Sequence, residues 1–172
     1  VDVTILEALP SILPNEDTDI SKIVKLSFEK RGIKIKTSAA LKSVTTKENS
    51  VSAEIITNEK VETINSEKLI LAIGIIANTE KLGLKDFNVK IDKGHVVTNE
   101  FLETDEKGVY AIGDVTDGPW LAHKASHEGI LCVEKIAGHK NLKPIDKTSI
   151  PGCTYCRPQV ASIGMTEIQA RS

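Results

Sequence analysis

Leu69-Ile70-Leu71-Ala72-Ile73-Gly74 restricts the fold more than any other segment. Five consecutive apolar residues running into a glycine leave no polar face for water. Such a run predicts a short strand covered on both sides, the position a strand holds in the middle of a parallel sheet. A parallel sheet needs crossover helices, so the fold class expected is α/β.

The segments before it fit that class. Val3, Ile5 and Leu6 predict a buried strand ending at Glu7. Asp17 stands where a helix N-cap belongs, and Thr18–Arg31 carries Ile20, Ile23, Val24 and Phe28 at helical spacing, with Gly32 as the stop. The Lys and Glu residues of Lys22–Arg31 read as its solvated face. Ile33–Lys36 alternates as a strand; Val51–Thr57 and Lys60–Ile64 predict a hairpin turning at Asn58-Glu59. The order strand, helix, strand, antiparallel insert, strand matches the later part of a Rossmann-like dinucleotide-binding domain.

The pattern then changes. Asn78–Asn99 is loop-rich, with Gly83 and Gly94. Val109-Tyr110-Ala111-Ile112 predicts another buried strand closed by Gly113-Asp114, Asp117-Gly118-Pro119 a turn, and Leu121–Ala137 a helix stopped by Gly138. A polar linker with Pro144 and Pro151 leads to a strand from Val160 and a helix-like Thr166–Arg171. The chain opens in a strand pattern at Val1 and closes in a helix pattern at Ser172, which is expected of an internal segment. Its 172 residues suffice for one domain or parts of two or three.

Composition removes several function classes. Apolar residues make up 40% and charged residues 27%, with a net charge of −2, so neither nucleic acid nor an anionic membrane is an expected partner. No apolar run approaches the ~20 residues of a bilayer span, and no signal peptide is recognisable. The three cysteines, Cys132, Cys153 and Cys156, argue for a reducing compartment such as a bacterial cytoplasm or an organelle matrix.

Two acids at expected strand ends are candidate ligand contacts. Glu7 ends what would be the second strand of a dinucleotide fold, where a carboxylate can hold both ribose hydroxyls of an adenosine and repel a 2′-phosphate, favouring NAD over NADP. A solvated surface glutamate is the other reading. Asp114 follows a glycine and precedes a helix whose first N–H groups favour negative charge. It either accepts hydrogen bonds from sugar or polyol hydroxyls or simply caps its turn.

Cys153-x-x-Cys156 supplies only two thiolates where structural zinc usually takes four, and Pro151 and Pro158 point to an extended segment, so an ordinary structural role is expected. His123 and His127 lie four apart without the H-E-x-x-H order, which favours packing for His123 and an exposed position for His127. Glu128, next to His127, is expected to be a surface charge rather than a general base.

Gly108-Val109-Tyr110-Ala111-Ile112-Gly113-Asp114 resembles the second flavin-binding motif of the pyridine nucleotide–disulfide oxidoreductases. Leu121-Ala122-His123-Lys124-Ala125, with Glu128-Gly129, is more similar to the branch that oxidises dihydrolipoyl groups than to glutathione or mercuric reductases. The resemblance runs through essentially the whole chain. It implies part of an NAD-binding domain at residues 1–77, the second segment of an FAD-binding domain at 78–146, and the start of an α+β dimerisation domain at 147–172. It implies that Asp114 binds the ribitol of FAD and that Trp120, Leu121, Ala122 and His123 line the flavin, with methionine common in the family at the Trp120 position. It assigns Glu7 to the NAD ribose, Leu41 to the adenine region and Gly74 to a close backbone approach to NAD.

The implied activity is electron transfer from dihydrolipoyl groups through an enzyme disulfide and FAD to NAD. The implied partners are the lipoyl domains of 2-oxoacid dehydrogenase or glycine-cleavage complexes and a second copy in a homodimer. The redox cysteine pair and the catalytic histidine of the family have no counterpart here, so no residue of this chain is expected to act as acid, base or nucleophile. Two alternatives stand beside this reading: a related FAD/NAD(P) reductase with another substrate, and a non-catalytic nucleotide-binding or dimerisation module.

Overall fold

A computed structural model describes residues Val1–Ser172. In chain order the elements are β1 (Thr4–Leu6), α1 (Thr18–Lys30), β2 (Lys34–Lys36), β3 (Ala39–Lys47), β4 (Ser50–Thr57), β5 (Lys60–Ser66), β6 (Ile91–Asp92), β7 (His95–Val96), α2 (Ala122–Ile136), β8 (Gly152–Thr154), β9 (Val160–Ser162) and α3 (Glu167–Arg171). They form two compact units, one of Val1–Ala72 with Cys153–Ser172 and one of Ile73–Gly152. The class is α/β with both parallel and antiparallel pairing.

In the first unit, β1 and β2 pair in parallel with Ile5 opposite Ile35, joined through α1. The helix starts where the sequence places its cap, with an Asp17 Oδ1 accepting the Asp19 N–H at 3.2 Å. It stops at Gly32, whose φ of +85° suits a residue without Cβ. The Gly32 N–H donates to the Glu29 carbonyl and the Ile33 N–H to the Phe28 carbonyl, the paired bonds of a Schellman closure. Val24, 1% exposed, meets Ile12 and Val160, and Ile5, Leu13, Phe28, Ile35 and Cys156 close around them. Burying a valine in this way contributes roughly 1.5–3 kcal/mol. Ile20 and Ile23 do not join this cluster and remain exposed. Val3 is also exposed, and β1 itself is only half-buried at Ile5 and Leu6.

β3, β4 and β5 form an antiparallel meander. The expected hairpin is present, with Thr57 opposite Lys60 and both Asn58 and Glu59 at positive φ, the backbone of a two-residue primed turn. β3 was not expected from the sequence. Ala39–Lys47 has no clean apolar alternation, and a register shift between Leu41 and Ser43 breaks its period. Ala53 and Ile55 on the central strand are buried.

The second unit centres on α2, whose Leu131 and Cys132 pack with Leu102 under Phe101, Tyr110, Leu142 and Ile145. α2 closes as α1 does, with the Gly138 N–H on the Lys135 carbonyl and the His139 N–H on the Glu134 carbonyl.

Two expected strands are absent. Leu69–Ile73 makes no ladder, and Ile70, Leu71 and Ile73 are exposed at 89%, 63% and 88%. β1 and β2 pair only with each other, so this run has no neighbour to complete its hydrogen bonds. Val109–Ile112 is likewise not a strand: only Tyr110 pairs, through an isolated bridge to Glu103, and Ile112 is exposed.

Candidate functional site

The turn Gly113–Val115 and the start of α2 bring the flavin-motif residues together. Gly113 has a φ of +75°, and a Cβ there would sit 3.3 Å from the Ala125 Cβ, so the turn needs glycine for both conformation and space. Thr116 closes it, its N–H and its hydroxyl both donating to the Gly113 carbonyl at 3.0 and 2.7 Å. Capping is therefore done by Thr116, and Asp114 stays exposed on the outside of the turn.

The sequence reads Glu128 as a surface charge, but the fold buries it. Glu128 is 6% exposed, and its Oε2 accepts the Gly113 N–H at 2.6 Å. Its Oε1 pairs with Lys124 Nζ at 3.1 Å. Lys124, 2% exposed, also donates to the Gly113 carbonyl and to Thr116 Oγ1, each at 3.1 Å. All three ammonium protons and both carboxylate oxygens are thus matched inside the unit, as buried charges require. The available signal was the spacing: Lys124 and Glu128 lie four apart, on the same helix face as the buried Leu131.

α2 begins at Leu121 with no side chain capping its first turn, so the N–H groups at Ala122 and His123 are left for another acceptor. Leu121 and His123 are half-buried and Ala122 is exposed; the His123 Nε2 lies 2.9 Å from the Pro151 carbonyl. Trp120 is half-buried, edge-on to His95 at 5.8 Å between ring centres. A cavity of about 640 Å3 is lined by His95, Thr116, Asp117, Lys124, Glu128 and Ile145 and not by Asp114. At its rim the Asp117 carboxyl is held below the usual aspartate range, first by the hydrogen bond from Lys147 and then by that residue's charge.

This surface fits the polyol and anionic part of a flavin. It offers a carboxylate that its own turn does not use, a glycine beside it and uncapped helix N–H groups.

Among the nucleotide candidates, Glu7 and Leu41 fall in the first unit and Gly74 in the second. Glu7 lies at the end of β1, half-buried, with Oε1 accepting the Leu9 N–H at 2.8 Å. The Glu7 backbone joins both sheets, its N–H donating to the Lys36 carbonyl and its carbonyl accepting the Ala39 N–H. Leu41, 40% exposed, sits at the irregular point of β3. Gly74 has a φ of +134° and no atom within 4 Å of a would-be Cβ, leaving its backbone open. Cys153 is exposed and Cys156 packs against the Ile12 cluster. His127 is exposed. No group of three or more His, Cys, Asp or Glu side chains is placed to hold a metal ion, and no helix is long and apolar enough to cross a membrane.

Comparison with known proteins identifies the family. The family model described as pyridine nucleotide-disulphide oxidoreductase matches residues 1–129. The chain is 49% identical over 172 residues to a dihydrolipoyl dehydrogenase of Rhizobium etli, covering 99% of this chain and 36% of that protein. It is 46% identical over 171 residues to the dihydrolipoyl dehydrogenase of Zymomonas mobilis, covering 99% and 37%. Among solved structures, LpdA from Mycobacterium tuberculosis superposes with a TM-score of 0.87 at 26% identity, over 98% of this chain and 36% of that one. The HOCl-induced flavoprotein disulfide reductase RclA from Escherichia coli gives 0.87 at 26% identity, over 99% and 38%. The chain spans about a third of the length of the curated relatives it matches. With the family's pattern running through most of its length and the glycine–aspartate turn seated on α2, the chain belongs to the pyridine nucleotide-disulphide oxidoreductase family.

Proposed function

We propose that this chain is part of a dihydrolipoyl dehydrogenase, an oxidoreductase that takes electrons from protein-bound dihydrolipoyl groups and delivers them to NAD. The observation that carries the reading is the Asp114 turn, locked onto α2 with its carboxylate facing outward. Similarity to relatives named dihydrolipoyl dehydrogenase supports the substrate class. In this reading residues 1–77 belong to the NAD-binding domain, 78–146 to the FAD-binding domain and 147–172 to the dimerisation domain. The exposed Leu69–Ile73 run becomes an inner strand of the completed sheet. Lipoyl domains of 2-oxoacid dehydrogenase or glycine-cleavage complexes are the partners, and the working form is a homodimer.

FAD, when bound, supplies the two-electron relay between a dithiol and NAD. The residues of this chain bind and orient. Asp114 accepts hydrogen bonds from ribitol hydroxyls, and the uncapped turn at Ala122–His123 presents N–H groups to the negative pyrimidine end. Trp120, Leu121, Ala122 and His123 line that face. Glu7 holds the ribose hydroxyls of NAD with the carboxylate oxygen its own turn leaves over, and it disfavours a 2′-phosphate. Leu41 covers the adenine region, and Gly74 gives the nucleotide a close backbone approach.

The test is flavin content of the intact enzyme carrying this chain. Asp114→Ala is expected to purify with less FAD and to bind added FAD at least ten-fold more weakly. Unchanged FAD affinity would overturn the assignment.

A further inference from the structure

Resting on the flavin reading above, we propose that Lys124 and Glu128 are positioning residues that register the Asp114 turn against the N-terminus of α2, and so set how tightly and at what potential a flavin is held. The two halves of the proposed flavin surface are the turn at Gly113-Asp114 and the helix start at Leu121–His123. Six residues of irregular chain separate Asp114 from Leu121, including Gly118 at a φ of +121°. Such a loop does not by itself hold its two ends in register.

The clamp does. Glu128 takes the Gly113 N–H and Lys124 takes the Gly113 carbonyl, so both polar groups of the residue before Asp114 are held by one helix, from adjacent turns. Thr116 is drawn in by a hydrogen bond from the same ammonium. The stem of Lys124 runs beside Gly118, where a Cβ would lie 3.7 Å from Lys124 Cδ. One side chain therefore touches the turn and the middle of the loop that leads to α2.

Stability alone is a weak reason for this arrangement. A buried ion pair is often no better for stability than apolar residues of similar volume. It differs from them in directionality: each oxygen and proton is committed to one target, so the turn has one allowed rotation relative to the helix. Flavin binding senses that rotation, because the ligand must contact both halves at once.

The test uses the intact enzyme with Glu128→Gln, Glu128→Ala, Thr116→Val and the double variant Lys124→Met with Glu128→Leu. Three quantities are read: hydrogen exchange of the Gly113 amide in the apo-protein, FAD affinity, and the flavin midpoint potential. Glu128→Ala is expected to speed Gly113 exchange and to weaken FAD binding at least ten-fold with a shifted potential. Glu128→Gln keeps an acceptor for the Gly113 N–H and should recover part of both. The double variant should approach the thermal stability of the wild type and still bind FAD weakly, a separation a purely structural role would not give.

If the double variant does not fold, Thr116→Val and Glu128→Gln carry the test, and FAD affinity and potential within two-fold and experimental error of wild type would overturn the proposal. The same holds for a folded double variant with wild-type affinity. A wild-type protein that binds no flavin overturns the flavin reading itself, and this proposal with it; a wild type that binds flavin beside unchanged variants overturns this proposal alone.

Discussion

Glu128 divides its carboxylate between two targets, the Gly113 amide at 2.6 Å and the Lys124 ammonium at 3.1 Å. Neither Glu128 nor Lys124 can be truncated without leaving the other's buried charge unpaired.

Glu128→Ala is therefore expected to destabilise the protein by about 3–5 kcal/mol, whereas the Lys124→Met and Glu128→Leu double variant should regain most of that. Urea unfolding of Lys124→Met, Glu128→Leu and the double variant that combines them gives the coupling directly. Additive losses would show that the pair is not coupled.

Gly113 and Gly138 both have left-handed backbone, at +75° and +76°, but differ in surroundings. Nothing lies within 4 Å of a Cβ at Gly138, whereas one at Gly113 meets Ala125 at 3.3 Å. Gly138→Ala should cost roughly 1–2 kcal/mol from conformation alone. Gly113→Ala should cost more, and thermal melts of the two variants rank them.

The contrast between these two glycines marks what a sequence reveals. The two helix stops, Gly32 and Gly138, were legible, because a glycine after an apolar-periodic segment has one local explanation. The Asp17 cap, α1, α2 and the β4–β5 hairpin were legible for the same reason. What failed depends on partners distant in sequence. Leu69–Ile73 has the composition of an inner strand, but a strand exists only where a neighbour supplies the ladder, and here none does. β3 was hidden because its irregularity at Leu41–Ser43 breaks the alternation. In the candidate site, Asp114 and the α2 start were readable as motif residues. The burial of Glu128 was not, since it depends on the Gly113 turn folding back onto the helix fifteen residues later.

Asp17 is held below the usual aspartate range by the Glu167 N–H first and the Asp19 N–H second. A lowered folded-state value means its contribution is complete above the ordinary aspartate value of ~3.9 and is lost as pH falls through the folded value. Asp17→Asn should melt earlier than wild type at neutral pH, and the gap should narrow as pH falls toward about 2. A gap that stays constant on acidification would contradict this.

The three thiols should react in a defined order. Burial pushes the Cys132 thiol up, with Glu103 adding to the effect, so its thiolate is scarce at mildly alkaline pH. Cys153 is exposed. Timed alkylation near pH 8, just below an ordinary thiol's ~8.5, followed by mass spectrometry should find Cys153 modified first and Cys132 last in the native protein.

The proposed reading gives the residues of this chain binding and orienting roles alone, so the 172-residue chain by itself is expected not to oxidise dihydrolipoamide when mixed with FAD and NAD. Appearance of NADH absorbance in that mixture would contradict the assignment of its residues to binding alone.

Asp17 has one further consequence. Its two oxygens bind the Asp19 and Glu167 amides, at opposite ends of the chain, and Val160 seats between Ile12 and Val24. A ribosome delivers residue 17 long before residue 167. For all of that interval the first unit lacks a wall of its core, so it can mature only after an eighty-residue excursion has been synthesised between its two halves.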